Sequence, residues 1–309
     1  MRRTRTQFVY LQTETLPAGA VLERGQAAIP LDDRGFLLGD GVYDAIRSYS
    51  GRLFHVEAHL ARLQHSLDAV RISVDQVEHL RSVGLELLHR NYLSDCDAVL
   101  HIQVTRGTLA RFSALPSRPL VPMVCVTATP IESDARAREV GVSVITAPDT
   151  RWARCDIKAI GLLPNVLARL AARDQDADEA VFVRDGQVTE GTHTSVFGVR
   201  GNVIVTRPAD TRILAGITRS VVLGLCSELG ITVDLSPLRE SELAGLDELF
   251  LTCTTGEVVP VVRLNQHPVG NGRPGPTTRR LQDAFREHVA ASAKPHPARE
   301  PTDGWNREA

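Results

Sequence analysis

The sequence predicts an α+β fold in two parts: a small N-terminal α+β domain and a larger C-terminal domain built on a barrel-like sheet. Three observations predict it. The chain has 309 residues, and at about 100–200 residues per domain that length suggests two domains. Apolar residues recur at helical spacing in two segments of the first half. The second half strings together many short β-branched runs with few helices between them, which argues for a barrel-like rather than a doubly wound sheet.

Each element has its own signal. Residues 9–12 and 29–31 read as short strands. The glycine-punctuated stretch 32–51 ends in a hairpin-like turn at Ser50-Gly51. Leu60, Leu63, Leu67 and Val70 mark a helix over 57–71. Val77, Leu80, Val83 and Leu87 mark a second, from Asp75 as N-cap to about Asn91. Strands are expected at 98–107 and 122–130. The polar stretch 129–141 loses periodicity, and the domain boundary falls there. The expected domains are 1–130 and 138–291, with a linker at 131–137. The second half offers strands at 142–147, 180–186, 195–199, 202–206, 231–235, 247–253 and 257–262. Its helices are expected at 164–173, 217–229, 239–244 and 277–291. The polar, proline-bearing tail 292–309 reads as disordered.

Composition narrows the function. Charged residues sum to −2, which argues against a nucleic-acid partner. No run of about 20 apolar residues is present to span a membrane. No apolar stretch follows the basic start, so no signal peptide is expected. Five scattered cysteines without C-x-x-C or zinc spacing suggest reduced thiols and a cytoplasmic location. No metal site is expected.

Only two of the 35 basic residues are lysines, Lys158 and Lys294. Lys294 lies in the tail, whereas Lys158 lies between apolar neighbours in RWARCDIKAIGLL. A buried amine can act as a nucleophile where a guanidinium cannot. Chance retention explains a lone lysine about as well. Glu190, in VTEGTHTSVFG, is read as an acid in a turn between two strands; a solvated loop glutamate is the commoner case. Gly-Ile-Thr at 216–218 opens a helix, where free N–H groups favour a phosphate. The same residues also suit a plain helix start. Thr254 and Thr255 make a hydroxyl-rich turn, for an anion or as simple caps. Arg62 and Arg111 suit anions, or are surface charges. Tyr43 is a core aromatic or a hydroxyl aimed into a cleft.

A reactive lysine, an acid and a helix-end phosphate site together describe a pyridoxal 5'-phosphate pocket. The chain resembles the class IV, or fold-type IV, aminotransferases, and among them the bacterial D-amino acid (D-alanine) aminotransferases. The likeness rests on DRGFLLGDGVYD (33–44), HLARL (59–63), QVTRGT (103–108), RWARCDIKAIGLL (151–163), VTEGTHTSVFG (188–198), ILAGITR (213–219) and LDELFLTCTTGEVVPV (246–261).

The resemblance implies a pseudobarrel cofactor domain and a homodimer. It implies that Lys158 is the Schiff-base lysine and proton shuttle, and that Glu190 pairs with the pyridine nitrogen. Arg62, Ile217, Thr218 and Thr254 would hold the phosphate, and Leu214 would lie under the ring. Tyr43, Arg111 and Thr255 would meet the substrate, with Arg111 reaching across from the neighbouring subunit. The implied reaction moves an amino group from a D-amino acid to a 2-oxo acid by a ping-pong route. Three relatives remain as alternatives: a branched-chain L-amino acid aminotransferase, a lyase of the aminodeoxychorismate type, and an (R)-amine transaminase. This chain departs from the D-alanine enzymes at Ser113, where they carry histidine, and at His193 and Ser195.

Overall fold

The computed structural model describes residues 6–111, 113–114, 119–131 and 135–292. Two sheets organise it. The first takes its strands from residues 8–130 in the order β2-β1-β6-β5-β3-β4. These are β1 (Phe8–Thr13), β2 (Leu16–Glu23), β3 (Gly41–Tyr49), β4 (Arg52–Leu53), β5 (Ala98–Thr105) and β6 (Met123–Pro130), all antiparallel. Short helix α1 (Arg34–Leu38) precedes β3, while α2 (Val56–Val70) and α3 (His79–Arg90) cover one face. Leu63, Leu67, Leu87, Leu100 and Ile102 close the core between them, all fully buried. Helical spacing on α2 and α3 meets strand alternation on β5, which is why the two periods were legible.

Three expectations change in this half. Residues 29–31 form no strand: Pro30 has no N–H to give a ladder, and the segment runs into a turn. Strand β2 was not foreseen, because Pro17 and Gly19 interrupt it. It is tolerated as an edge strand. Gly19 has φ +67°, and a Cβ there would lie 2.0 Å from the Tyr10 hydroxyl, so the tyrosine rests on bare backbone. Helix α3 starts at His79 rather than after Asp75, with turns in between.

The second sheet has nine strands, ordered β12-β11-β10-β13-β14-β7-β8-β9, with β15 (His267–Pro268) paired to β14. They are β7 (Val142–Pro148), β8 (Glu179–Arg184), β9 (Gln187–Gly191), β10 (Ser195–Arg200), β11 (Val203–Val205), β12 (Thr232–Asp234), β13 (Glu248–Cys253) and β14 (Glu257–Leu264). Parallel pairs need a crossover. Helix α5 (Leu163–Arg173) supplies one between β7 and β8, and α6 (Ile217–Glu228) supplies one between β11 and β12. Helix α4 (Ala135–Val140) precedes β7, and α7 (Pro276–Ser292) packs Leu281 and Phe285 against Phe197 and Phe250. The segment Glu240–Gly245 is a 3-10 turn where an α-helix was expected.

Glu190 lies on strand β9, not in a turn. The reversal comes earlier, at Asp185 (φ 54°) and Gly186 (φ 69°), a left-handed pair that suits a tight hairpin. Residues 132–134 of the expected linker, Phe112, and residues 293–309 of the expected tail lie outside the described residues.

Polar and aromatic contacts join the halves. Arg47 on β3, 2% exposed, pairs with Asp97 (2.8 Å) and with Glu257 at the start of β14 (3.1 Å). Phe54, after β4, meets Phe285 of α7 with ring centroids 5.8 Å apart.

Candidate active site

Residues of both halves line a cavity of about 350 Å³, the scale of a small-molecule site. Lys158 lines it, on the irregular stretch between β7 and α5. Tyr43 and Arg62 reach it from the first half. Glu190, Leu214, Ile217, Thr218 and Thr254 reach it from the second.

The backbone of Lys158 is held from two sides. Its N–H donates to Ser66 Oγ of α2 (3.2 Å), and its carbonyl accepts from the Tyr43 N–H of β3 (2.9 Å). The ammonium lies over the Tyr43 ring, 4.4 Å from its centroid, and that ring stacks on His101 at 5.2 Å. Burial and the neighbouring Arg62 guanidinium lower the Lys158 amine from 10.5 to about 8; Asp44, Glu190 and Cys253 pull the other way. A useful fraction is therefore neutral near pH 7–8, as a nucleophile requires.

Arg62, on α2, is clamped by a buried carboxylate. Asp44 accepts from Arg62 Nε and Nη2, both at 2.9 Å, and lies 2.7 Å from His59 Nδ1. Burial would raise the Asp44 carboxyl, but Arg62 and His59 hold it well below the usual carboxylate range. The third guanidinium nitrogen donates to the Ala215 carbonyl (3.1 Å), just ahead of α6.

Glu190 is the mirror case. One of its oxygens pairs with Arg151 Nη1, and the other accepts from the Leu214 N–H at 3.0 Å. Arg151 is itself gripped by Asp149, through Nε and Nη2 at 2.9 Å each. Burial pushes the Glu190 carboxyl up, and Arg151 only partly counters it.

Helix α6 starts at the cavity with Gly216 as N-cap. A Cβ at Gly216 would lie 2.8 Å from Ser195 Oγ, so glycine lets the helix start press against β10. Its first-turn N–H groups have no intrahelical acceptor. Thr194 and Thr252 also line the cavity, and their hydroxyls are buried without a hydrogen-bond partner.

Two expected residues stand apart. Thr255 lines a second hollow instead, and its carbonyl accepts from Arg47 Nη1 (2.8 Å). Arg111 is exposed on a turn and lines neither hollow of its own chain. Asp44, Asp149 and Arg151 were not singled out from sequence. Asp44 carried a signal: it sits on a strand between Val42 and Ile46, on the inward face. Arg151 carried none in an arginine-rich chain. Among the described residues no group of three or more potential ligands is placed to hold a metal ion, and no helix is long and apolar enough to cross a membrane.

This architecture and this cavity are those of a fold-type IV enzyme. Residues 41–264 match the family model described as amino-transferase class IV, and the chain belongs to that family. A D-alanine aminotransferase from Bacillus licheniformis is 41% identical over 272 residues, 88% of this chain and 95% of that protein. Among solved structures, a branched-chain amino acid aminotransferase from Escherichia coli is similar with a TM-score of 0.85 at 25% identity, covering 97% of this chain and 98% of that one. The T.th. branched-chain enzyme, solved with pyridoxamine 5'-phosphate, gives a TM-score of 0.82 at 26% identity, covering 93% and 95%. The fold is shared across these substrate types, while the higher sequence identity is with the D-alanine enzyme.

Proposed function

We propose that this chain is a pyridoxal 5'-phosphate-dependent D-amino acid aminotransferase, passing an amino group from a donor such as D-alanine to a 2-oxo acid such as 2-oxoglutarate. The observation that carries this reading is the charge layout around Lys158. A guanidinium, a helix N-terminus and a buried carboxylate line the cavity together with the amine. That set fits a phosphate at the guanidinium and helix start and a ring nitrogen at the carboxylate. The unpartnered hydroxyls of Thr194 and Thr252 are further donors without a protein acceptor. The relative from Bacillus licheniformis supports the D-donor.

When bound, the cofactor supplies a pyridinium ring that accepts the electrons left at the substrate Cα. The chain's own residues do the rest. Arg62, the N–H groups at Ile217 and Thr218, and the Thr218 and Thr254 hydroxyls hold the phosphate. Leu214 packs under the ring, and its N–H steadies Glu190. Glu190, pushed up by burial, is a ready partner for a ring N–H proton. Lys158 Nζ would bond the cofactor covalently and, once the substrate amine displaces it, would move a proton between the substrate Cα and the carbon that the lysine had held. Tyr43, with Arg111 from a second copy, orients the substrate, and the clamped face sets the stereochemistry; Thr255, turned to the second hollow, takes no part.

The homodimer has independent support. Helix α5 leaves Leu163, Val166, Leu167 and Leu170 exposed, and α1 leaves Phe36 and Leu38 exposed. The two meet where Gly39 approaches Gly161, at the rim of the cavity. An apolar surface of that extent marks a protein contact. The division into domains 1–130 and 138–291, joined by 131–137, accords with each sheet drawing its strands from one side of that linker.

The test is spectroscopic. Purified holoenzyme is mixed with D-alanine and no acceptor while its near-visible absorbance is followed. The expected result is loss of the long-wavelength cofactor band with one pyruvate per site. A band that responds to L-leucine alone would move the reading to the branched-chain enzymes. No response to D-alanine, with continuous pyruvate release from aminodeoxychorismate, would move it to the lyases, and a response to (R)-amines alone to that class.

A further inference from the structure

Cys253 ends β13 on the wall between the cavity and a second hollow of about 1280 Å³. His193, on the connection from β9 to β10, lines both hollows too. His193 and Cys253 therefore share the same stretch of wall. His193 Nδ1 lies 3.0 Å from Glu179 Oε2 on β8. Glu179 is 4% exposed and is fixed by the Ala180 N–H (2.9 Å), the Thr192 N–H (3.2 Å) and the Thr192 hydroxyl (2.5 Å). A carboxylate–imidazole pair thus stands on the wall that carries the thiol, the set of groups that activates a cysteine nucleophile. The Gly256 N–H points at Sγ from 3.2 Å. Thr194 and Thr252, 7% and 2% exposed, line the same cavity, and their hydroxyls have no partner. None of the roles given above uses Cys253, His193 or Glu179.

We propose that Cys253 is a nucleophilic thiolate set by the Glu179–His193 pair, and that it is the cavity's site of covalent modification by small soft electrophiles, above all disulfides.

The electrostatics agree. Burial would raise the Cys253 thiol, but His193, with Thr255 and the Gly256 N–H, holds it below its ordinary value. Burial would lower His193, but Cys253 and Glu179 raise it to about 10. The other charges facing these groups are Lys158, Arg169 (Nη1 3.3 Å from His193 Nδ1) and, around the second hollow, Arg136, Asp178 and Asp97. By contrast, burial pushes the Cys125 and Cys155 thiols up, and Cys226 up to about 11.

The chemistry balances without a further reagent. The thiol proton resides on His193, paired with Glu179. The Sγ lone pair attacks one sulfur of the disulfide, the old S–S bond breaks, and the second sulfur leaves as a thiolate. Cys253 ends oxidised in a mixed disulfide, and the departing thiol is the reduced product.

The test uses folded holoenzyme, iodoacetamide and peptide mass analysis at each cysteine. At pH 7, Cys253 is expected to react at least about ten times faster than Cys96, Cys125, Cys155 or Cys226. Its rate is expected to level off below the ordinary thiol value of about 8.5. His193→Gln is expected to slow Cys253 about tenfold at pH 7 and to move its profile to that ordinary value. 2-Hydroxyethyl disulfide is expected to form a mixed disulfide at Cys253, reversed by dithiothreitol. The proposal is overturned if wild-type Cys253 reacts no faster than Cys96, or if its rate climbs through pH 8.5 without levelling. The wild-type profile decides even if His193→Gln does not fold.

Discussion

The two halves of the molecule bring charge to the cavity by opposite uses of one bond. In the six-stranded half, buried Asp44 clamps Arg62, and the cation faces the cavity. In the nine-stranded half, Asp149 clamps Arg151, which pairs with Glu190, and the anion reaches the cavity beside its cation. In both, a carboxylate grips the guanidinium through two nitrogens, the most directional ion pair available. The charge shown to the ligand is set by which members of each array reach the cavity. A buried charge without a partner is costly, so each displayed charge needs a partner behind it.

Variants can break or sharpen this contrast. The largest effect belongs to the group between the two arrays: Lys158→Ala is expected to lower transamination about a thousandfold or more, with the protein still folded. Turnover near wild type would remove Lys158 from the chemistry and leave the two arrays without a shared centre.

Next come the carrier residues. Asp44→Asn frees the buried Arg62 guanidinium, and cofactor affinity is expected to fall about ten- to a hundredfold, read as the pyridoxal phosphate Kd. Arg151→Gln should instead reduce kcat about tenfold or more, with a much smaller change in Kd, because Glu190 then serves the ring nitrogen less well. Equal effects of both variants on Kd would show that the two arrays do the same job.

A smaller effect is expected outside the arrays. Arg111→Ala should raise KM for D-alanine about tenfold, with the cofactor spectrum unchanged. Unchanged D-alanine kinetics would exclude Arg111 as the carboxylate contact.

The smallest effect is a pH profile. The folded Lys158 amine titrates at about 8 instead of 10.5, so its neutral form grows as pH rises through 8. Capture of pyridoxal phosphate by apoenzyme should quicken between pH 7 and 9 and then flatten. A rate still climbing at pH 10 would mean that burial and Arg62 do not act on the amine. In Asp44→Asn a counter-charge near Lys158 is also lost, and the midpoint should fall further.

Much of this was legible in the chain. Helices α2 and α3 announced themselves through leucine spacing, and strands β5, β6 and β7 through β-branched runs. The scarcity of lysine pointed to Lys158 before any motif was matched. Edge elements were harder to read. Strand β2 is interrupted by Pro17 and Gly19, which its edge position tolerates, and Glu190 was mistaken for a loop residue because Gly191 follows it. Thr254 and Thr255 looked equivalent as neighbours, yet only Thr254 lines the cavity.

The sequence by itself determined the two-part α+β fold, the candidate lysine and the family motifs, because periodicity and residue chemistry are local properties. Tertiary structure alone decided which arginine meets which carboxylate. Arg62 and Asp44 are 18 residues apart, and Arg151 and Glu190 are 39 apart, so no local pattern could select them from so many arginines. It also decided that the Glu179–His193 pair and Cys253 stand on one wall, since β8, the β9–β10 connection and β13 meet only when the sheet forms. Charge acquires its effect from burial and neighbours, and both exist only once the chain has folded.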